Sequence, residues 1–356
     1  MELPPVHPKM SFITGAIDKE IRLSFAQRIK GTLPEQYHAL IPEGKEKDSP
    51  DFKYDVDSKI PIPSPNCGIM LISVATPYAK EGREILQLIR KKATDDEIQP
   101  LINSIEEQAR EHGVADPMIP STDAFVTSIC YAGAKSLSHV LSCIERNKDR
   151  LLSIGPRSAA ARRQIITSVL EYWRDQPGNG INIIDKLLNY TVLTPMSVLE
   201  WVLLDHLDAG RILAQSHIYE MVSATVGKVT NRLRQIVLAR SQPQGLYEPQ
   251  LSVLDETLKR ERQDMQALFA LIDDTVGPLA HGGNDQLMER SDADPATREE
   301  NELLRRWAAR WQRVFRRKAA VEEAFIQERM ATAPPVGTMP PASTTSGTGE
   351  NNAMQS

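Results

Sequence analysis

Few cysteines, few aromatic residues and no long apolar run set the first limits on this sequence of 356 residues. Cys67, Cys130 and Cys143 are odd in number and never spaced C-x-x-C, which excludes a disulfide framework and a cysteine zinc site. No stretch approaches the roughly 18 continuous apolar residues of a membrane span. The opening MELPPVHPKM carries an acid and three prolines where a secretory signal would carry a basic and then an apolar run. A net charge of −5 excludes the bulk basic character of histone-like or ribosomal proteins. The expectation from these absences is a soluble protein of a reducing, intracellular compartment. What is present is 41% hydrophobic and 25% charged residue, enough to bury a core and too apolar for global disorder.

Three stretches lack an apolar period. Pro42 to Pro65 holds five prolines around a charged centre and reads as a linker; Gly277 to Pro295 is polar and glycine-bearing; the tail after Met330 is rich in Pro, Ser, Thr and Gly, with Glu350 its only charge, and reads as disordered. Nearly everything else has helical spacing. Thr94-Asp95-Asp96-Glu97 is a capping box. Ile165, Val169 and Tyr172 form one apolar stripe, and Ile166, Leu170 and Trp173 a second beside it, so their helix must be covered on more than one side. Pro177 and Gly178 end that helix, and Ile181, Ile184, Leu188 and Val192 belong to the next. Thr194-Pro195 reads as N-cap and first residue of a helix carrying Val198, Trp201 and Val202. Val222, Val226, Val229, Leu233 and Ile236 mark a longer helix that fades near Arg240.

Strand-like alternation is nowhere sustained, so the predicted fold is all-α: an α-solenoid of antiparallel helical hairpins without a crisp repeat. The last third adds a long C-terminal hairpin. Leu251, Leu258, Met265 and Ile272 fall seven apart, with Leu254 and Leu268 on the complementary seam; beyond the polar loop, Leu304, Trp311 and Phe325 alternate with Trp307, Val314 and Val321. Glu261 and Lys318 interrupt these seams. The predicted organisation is a segment at 1–41, a linker at 42–65, a helical-repeat domain at 66–330 and a tail at 331–356.

Catalytic chemistry finds no footing in the spacing. Ala224-Thr225-Val226-Gly227-Lys228 ends like a phosphate loop but has Val222 and Val229 where glycine and Ser/Thr are required, and it lies inside a predicted helix. His139 and Cys143 stand at i, i+4, a pair better read as helix packing than as a nucleophile and its base. Asp95-Asp96 and Asp273-Asp274 are sequence neighbours that diverge by about 100° on a helix and cannot converge on one metal. The seven histidines form no H-x-x-x-H or H-x-E motif. No catalytic residue, metal ligand or cofactor is expected.

Charge is more informative. No acid occurs between Asp149 and Glu171, a window holding Arg150, Arg157, Arg162 and Arg163, nor between Glu220 and Glu248, where Lys228, Arg232, Arg234 and Arg240 lie. The last helix concentrates seven basic residues from Arg305 to Lys318, with Arg306, Arg310, Arg313 and Arg317 on one face. Such stripes follow a phosphate backbone, meet an acidic partner, or form a solvated face paired with acids of adjacent helices. By residues alone, the sequence is a helical scaffold that binds something.

Ala134-Lys135-Ser136-Leu137-Ser138-His139 resembles a signature of the large subunit of the nuclear cap-binding complex. Ile21-Arg22-Leu23-Ser24-Phe25-Ala26-Gln27-Arg28-Ile29 is similar to the helix leaving that family's second domain, which implies that 1–41 is a remnant of a preceding helical domain. Lys92 to Ile98 resembles an early helix start of its third. Val169 to Arg174, the Trp201 helix and Ile218-Tyr219-Glu220-Met221 follow in the expected order. The resemblance implies domains of the initiation factor 4G middle-domain type, and a non-catalytic scaffold. Such a scaffold binds and orders a small subunit whose RNA-recognition motif holds the 7-methylguanosine cap. It implies indirect contact with capped RNA, partners in mRNA splicing, export and decay, no membrane, and a nuclear location with shuttling to the cytoplasm. The low aromatic content fits a subunit that leaves stacking on the cap to its partner. The family's first domain and most of its second are not within this sequence. Ser24, Gln27 and Arg28, polar and near the junction, are the expected contacts with the small subunit. Arg157, Arg162, Arg163, Lys228, Arg232, Arg306, Arg310, Arg313 and Arg317 are the expected basic faces. The alternative is a middle-domain scaffold in translation or nonsense-mediated decay that docks an RNA helicase.

Overall fold

The computed structural model describes residues 50–55, 59–64, 68–73, 76–241, 248–281 and 295–332; of these, 59–64, 68–73, 248 and 295–297 are described by backbone alone. The expected domain remnant at 1–41 and the tail beyond Thr332 lie outside the described residues. The architecture is all-α. Its helices are α1 (Ala79–Lys91), α2 (Asp95–Glu111), α3 (Met118–Ala132), α4 (Leu137–Arg146), α5 (Lys148–Arg157), α6 (Ala159–Tyr172), α7 (Pro177–Asn189) and α8 (Pro195–Glu200). A π-helical turn (Trp201–Asp205) extends α8, a short 3-10 segment (Asp208–Ala214) follows, and then come α9 (Ser216–Ser241), α10 (Glu248–His281) and α11 (Pro295–Ala331). Among the described residues no helix is long and apolar enough to cross a membrane.

The departure from helix is an antiparallel hairpin of β1 (Lys59–Ser64) and β2 (Gly68–Ser73), in register from Lys59 opposite Ser73 to Ser64 opposite Gly68. It falls across the end of the stretch read as linker. Each run is only six residues long, and Pro61 and Pro63 obscure the alternation. Prolines two apart share one side of a strand, and without N–H groups they also blunt that edge against further pairing.

Helix starts follow the local chemistry. Thr94 N donates to Glu97 Oε2 at 2.7 Å, closing the box at α2. Ser136, Ser158 and Thr194 accept from the backbone N–H groups three residues on, at 3.3, 3.0 and 3.1 Å. Pro177 opens α7 and does not stop α6, which ends at Tyr172; proline at the first turn loses no internal bond. The two stripes of α6 bury Ile165, Ile166, Val169, Tyr172 and Trp173 together, because α3 packs on one side while α5, α7 and α8 cover the others. The principal packing partners of each helix lie within three positions of it in the chain, which is the quasi-one-dimensional order of a solenoid.

Two glycines permit specific geometry. A Cβ at Gly133 would stand 2.3 Å from Val140 Cα and 2.6 Å from Val140 N, so α3 and α4 meet at van der Waals contact only because that carbon is absent. Gly210 has φ of +96° within the sharp bend before α9.

The C-terminal hairpin differs from its heptad reading in phase. On α10, Leu251, Leu258, Met265, Leu268 and Ile272 are buried as expected, with Leu254 only half-buried. On α11 the buried seam is Leu304, Ala308, Trp311, Phe315, Glu322 and Ile326, while Val314 and Val321 are exposed and Trp307 and Phe325 half-buried. α11 faces α9 and the 3-10 segment as well as α10, and this wider contact rotates the buried face away from the simple a/d pattern. The stretch from Gly277 read as a loop stays helical to His281, with Pro278 inside it; Val276 and Leu279 are buried and hold the last turn in place.

Candidate partner-binding surfaces

The expected linker contains a docked strap. Phe52 and Tyr54 are 2% and 3% exposed, and burial of rings of this size stabilises by about 1.5–3 kcal/mol each. Phe52 packs its ring 4.9 Å from Tyr131, and Tyr131 meets Tyr172 edge-on at 6.4 Å. Asp123 of α3 holds the polar side of the strap. Its Oδ2 accepts from Lys53 Nζ at 2.8 Å and from the Tyr54 hydroxyl; its Oδ1 accepts from Ser168 Oγ at 2.7 Å and Gln164 Nε2 at 3.2 Å. Lys53 also reaches Glu171 Oε2 at 3.4 Å.

Burial alone would raise the Asp123 carboxyl, but the Lys53 ammonium and hydrogen bonds from Lys53, Tyr54 and Ser168 hold it below the carboxylate range. Burial works against the Lys53 charge too, and the Asp123 and Glu171 carboxylates outweigh it, so its pKa is raised. Burial, then the adjacent Asp123, pushes the Tyr54 phenol up and keeps it a donor. The strap was missed in the sequence because its two aromatic anchors sit among charges with no period; Phe52 and Tyr54 within EGKEKDSPDFKYDVDSK were the available signal.

The segment at 134–139 closes the α3–α4 corner. Ser136 Oγ caps α4 and lies 2.8 Å from His139 Nδ1; His139 is exposed, while Cys143 is buried and its sulfur accepts from Arg146 Nη2 at 3.2 Å. Burial pushes the Cys130 thiol up to about 12. The phosphate-loop look-alike at 224–228 lies within α9. Among the described residues no group of three or more His, Cys, Asp or Glu side chains converges on a metal-sized site. Asp95 sits in the first turn of α2 and holds the buried Arg150, which also donates to Gln99 Oε1 at 3.0 Å.

The expected basic residues separate into two sets. Arg163 pairs with Asp205 and Glu200 at 2.5 and 3.4 Å, Lys228 with Asp185 at 2.9 Å, Arg232 with Glu261 at 2.9 Å and Arg306 with Glu302 at 3.0 Å. These cations answer acids of the same or neighbouring helices. The Arg162 guanidinium folds against Gly155, and its buried Nε has no hydrogen-bond partner among the described residues. Arg157, Arg310, Arg313 and Arg317 are exposed and make no ion pair among the described residues. Arg310 lies over the Trp307 ring at 5.4 Å, so that ring is no open platform for a base. The first two stripes are thus mainly intramolecular, and of the three it is that on α11 which presents, among the described residues, a run of cations without an acid. Ser24, Gln27 and Arg28 lie outside the described residues.

Comparison with known proteins places these surfaces in a family. A MIF4G-like family model matches residues 72–324, and a second MIF4G-like model matches residues 1–35. Nuclear cap-binding protein subunit 1 of Schizosaccharomyces pombe is 26% identical over 238 residues, covering 67% of this chain and 27% of the relative. The Aedes aegypti protein of that name is 26% identical over 242 residues, covering 66% and 27%. The Homo sapiens one is 22% identical over 295 residues, covering 75% and 35%. The chain thus spans about a quarter to a third of the length of these relatives.

Proposed function

The chain belongs to the MIF4G-like family, and on that premise we propose that it is a non-catalytic scaffold of a nuclear cap-binding complex. The observation that carries the reading is the likeness to nuclear cap-binding protein subunit 1 over about two thirds of the chain, from fungal to animal relatives. In this reading the solenoid binds and orders a small subunit whose RNA-recognition motif holds the 7-methylguanosine cap. Its own contact with capped RNA is then indirect. A rigid surface that restrains mobile segments of a partner lowers the ordering cost when the ligand arrives, and so raises affinity without touching the ligand.

Ser24, Gln27 and Arg28 are the proposed contacts with the small subunit; they fall in the stretch matched by the second MIF4G-like model. The function is exercised in the nucleus with shuttling to the cytoplasm, and serves splicing, export and decay of capped transcripts. Domain limits at 42, 66 and 331 belong to the same proposal, with the strap at Phe52 and Tyr54 as the point where the segment before 66 is fastened to the repeat domain.

Co-expression with a candidate small subunit, followed by retention on a methylated-cap resin, tests the proposal. Retention of both chains, lost when the cap analogue is added free, is the expected result. Failure to pair, together with capture of an RNA helicase, would overturn it in favour of a middle-domain scaffold of translation or nonsense-mediated decay.

A further inference from the structure

The outer face of α11 combines two features that a solvated helix face does not normally combine. From Leu303 to Val321 the helix holds seven cations and no acid. Arg316 is engaged with Asp273 at 2.6 Å, and Lys318 is half-buried beside α9. Arg310, Arg313 and Arg317 are exposed and answer no acid among the described residues. Interleaved with them are Leu303, Val314 and Val321, at 51%, 37% and 51% exposure, three of the seven most exposed large apolar residues among those described.

Single exposed leucines and valines are ordinary, but these three are aligned. At 100° per residue, positions 303, 314 and 321 fall within about 20° of one another, and 310 and 317 within about 40° of that line. The stripe runs about 27 Å along the helix, five turns of an α-helix. None of it faces α10 or α9, whose contacts use the seam of Leu304, Ala308, Trp311 and Phe315 and the flank of Gln312, Arg316 and Glu323.

We infer that this face, centred on Arg310, Val314 and Arg317, docks an acidic amphipathic helical segment of a protein partner. Charge complementarity names the acid: an array of cations without local counter-charges raises the local concentration of anions and steers their approach. The aliphatic residues choose between anions. A phosphate backbone gains nothing from covering Leu303, Val314 and Val321, and the Trp307 ring that a base would need is occupied by Arg310. A helix with apolar residues at three- and four-residue spacing and Asp or Glu beside them satisfies both sets at once. The inference does not depend on small-subunit binding, which is read separately by cap-resin retention.

The test uses the full chain and a fluorescent acidic amphipathic peptide of about 20 residues, the helical length that spans the stripe. Its controls are a scrambled peptide of the same composition and a polyuridine oligonucleotide. Saturable binding of the amphipathic peptide alone is expected. It should weaken at least about tenfold in the Arg310→Glu, Arg313→Glu, Arg317→Glu variant and severalfold in the Val314→Ser, Val321→Ser variant. Lys91→Glu, at an exposed cation ending α1, should change nothing. All these positions are exposed, and helical circular dichroism checks that each variant is folded. Equal binding of the scrambled peptide would reduce the face to charge attraction and overturn the docking. Binding of the oligonucleotide in its place, lost in the arginine variant, would make it a nucleic-acid face. Binding of neither would mean that another part of the chain covers it, and would equally overturn the inference.

Discussion

Lys53 places its ammonium 2.8 Å from the carboxylate of Asp123, seventy positions away in the chain. The contact fastens the strap at 50–55 to α3, with the carboxylate buried and the ammonium still open to solvent. A charged residue in a stretch that looks like a linker thereby becomes the closure of a buried polar site, with Tyr54, Ser168 and Gln164 filling the remaining valences of Asp123. Removing Asp123 leaves Lys53 without its nearest anion and the Tyr54 hydroxyl buried without an acceptor. Asp123→Ala should cost about 3 kcal/mol of stability, the low end for a broken buried pair because Lys53 retains solvent. Urea denaturation gives the number. Hydrogen exchange in Asp51–Asp55 should quicken far more than in α9; equal change in both would mean that the strap is not a separate latch.

The same site carries a signed pH dependence. The Asp123 carboxyl is held below its ordinary value of 3.8 in the folded state. Its contribution is therefore present above that value and is lost as pH falls through the lower folded value. Lys53 is raised above 10.5, so its share is present below that pH and lost as pH rises through the folded value. The urea midpoint should fall on acidification below about pH 4. Asp123→Asn should remove that part of the decline while leaving the slope due to other carboxylates. An unchanged acid slope in the variant would exclude Asp123 as its source.

Gly133 and Gly113 give opposite reasons for being glycine. A methyl at Gly133 collides with the Val140 backbone at 2.3 Å, whereas Gly113 has φ of +72° and nothing within 4 Å of the added carbon. Gly133→Ala should therefore cost about 1–3 kcal/mol by forcing α3 and α4 apart. Gly113→Ala should cost about 1 kcal/mol through backbone strain alone. Thermal unfolding orders them, and a smaller loss at Gly133 would contradict the close approach.

Arg234 and Glu322 join α9 to α11 through two bonds of 2.6 and 3.1 Å, with the carboxylate buried. Arg234→Ala alone strands a buried charge and should cost about 2–3 kcal/mol. The double change Arg234→Met, Glu322→Leu should recover most of this. A double-mutant cycle without coupling of about 1 kcal/mol or more would show that solvent already satisfies the carboxylate.

Trp311 and Trp307 occupy the same helix with different standing. Trp311 is fully buried, donates to the Leu213 carbonyl at 3.0 Å and meets Tyr219 edge-on at 5.4 Å. Trp311→Ala should cost about 3–5 kcal/mol, and Trp307→Ala about 1 kcal/mol. Comparable losses would restore the seam in which both tryptophans pack alike.

Much of the fold was legible because helix starts and apolar faces are local. Thr94 and Thr194 cap where a capping residue precedes an apolar period, and the double stripe of α6 announced a helix covered on several sides. The hairpin at 59–73 and the strap were not legible. One is too short and proline-broken to show a period, and the other depends on an acid and a serine far along the chain. The surface readings were legible only as charge. Arg163, Lys228, Arg232 and Arg234 belonged to acid-poor windows, yet each finds its acid on another element or a later turn.

What the sequence determined by itself is therefore class and composition: an all-α repeat, the helix starts at Thr94 and Thr194, and a last helix with seven cations and no acid between Leu303 and Val321. Tertiary structure alone decided which face of that helix is inside. Because α11 packs on α9, α10 and the segment before α9 at once, its buried seam follows three neighbours and not one heptad partner. Val314 and Val321 were thereby left outside among arginines, where periodicity had placed them within. Periodicity records how often apolar residues recur, while the direction they face is settled by the contacts of the whole assembly of helices.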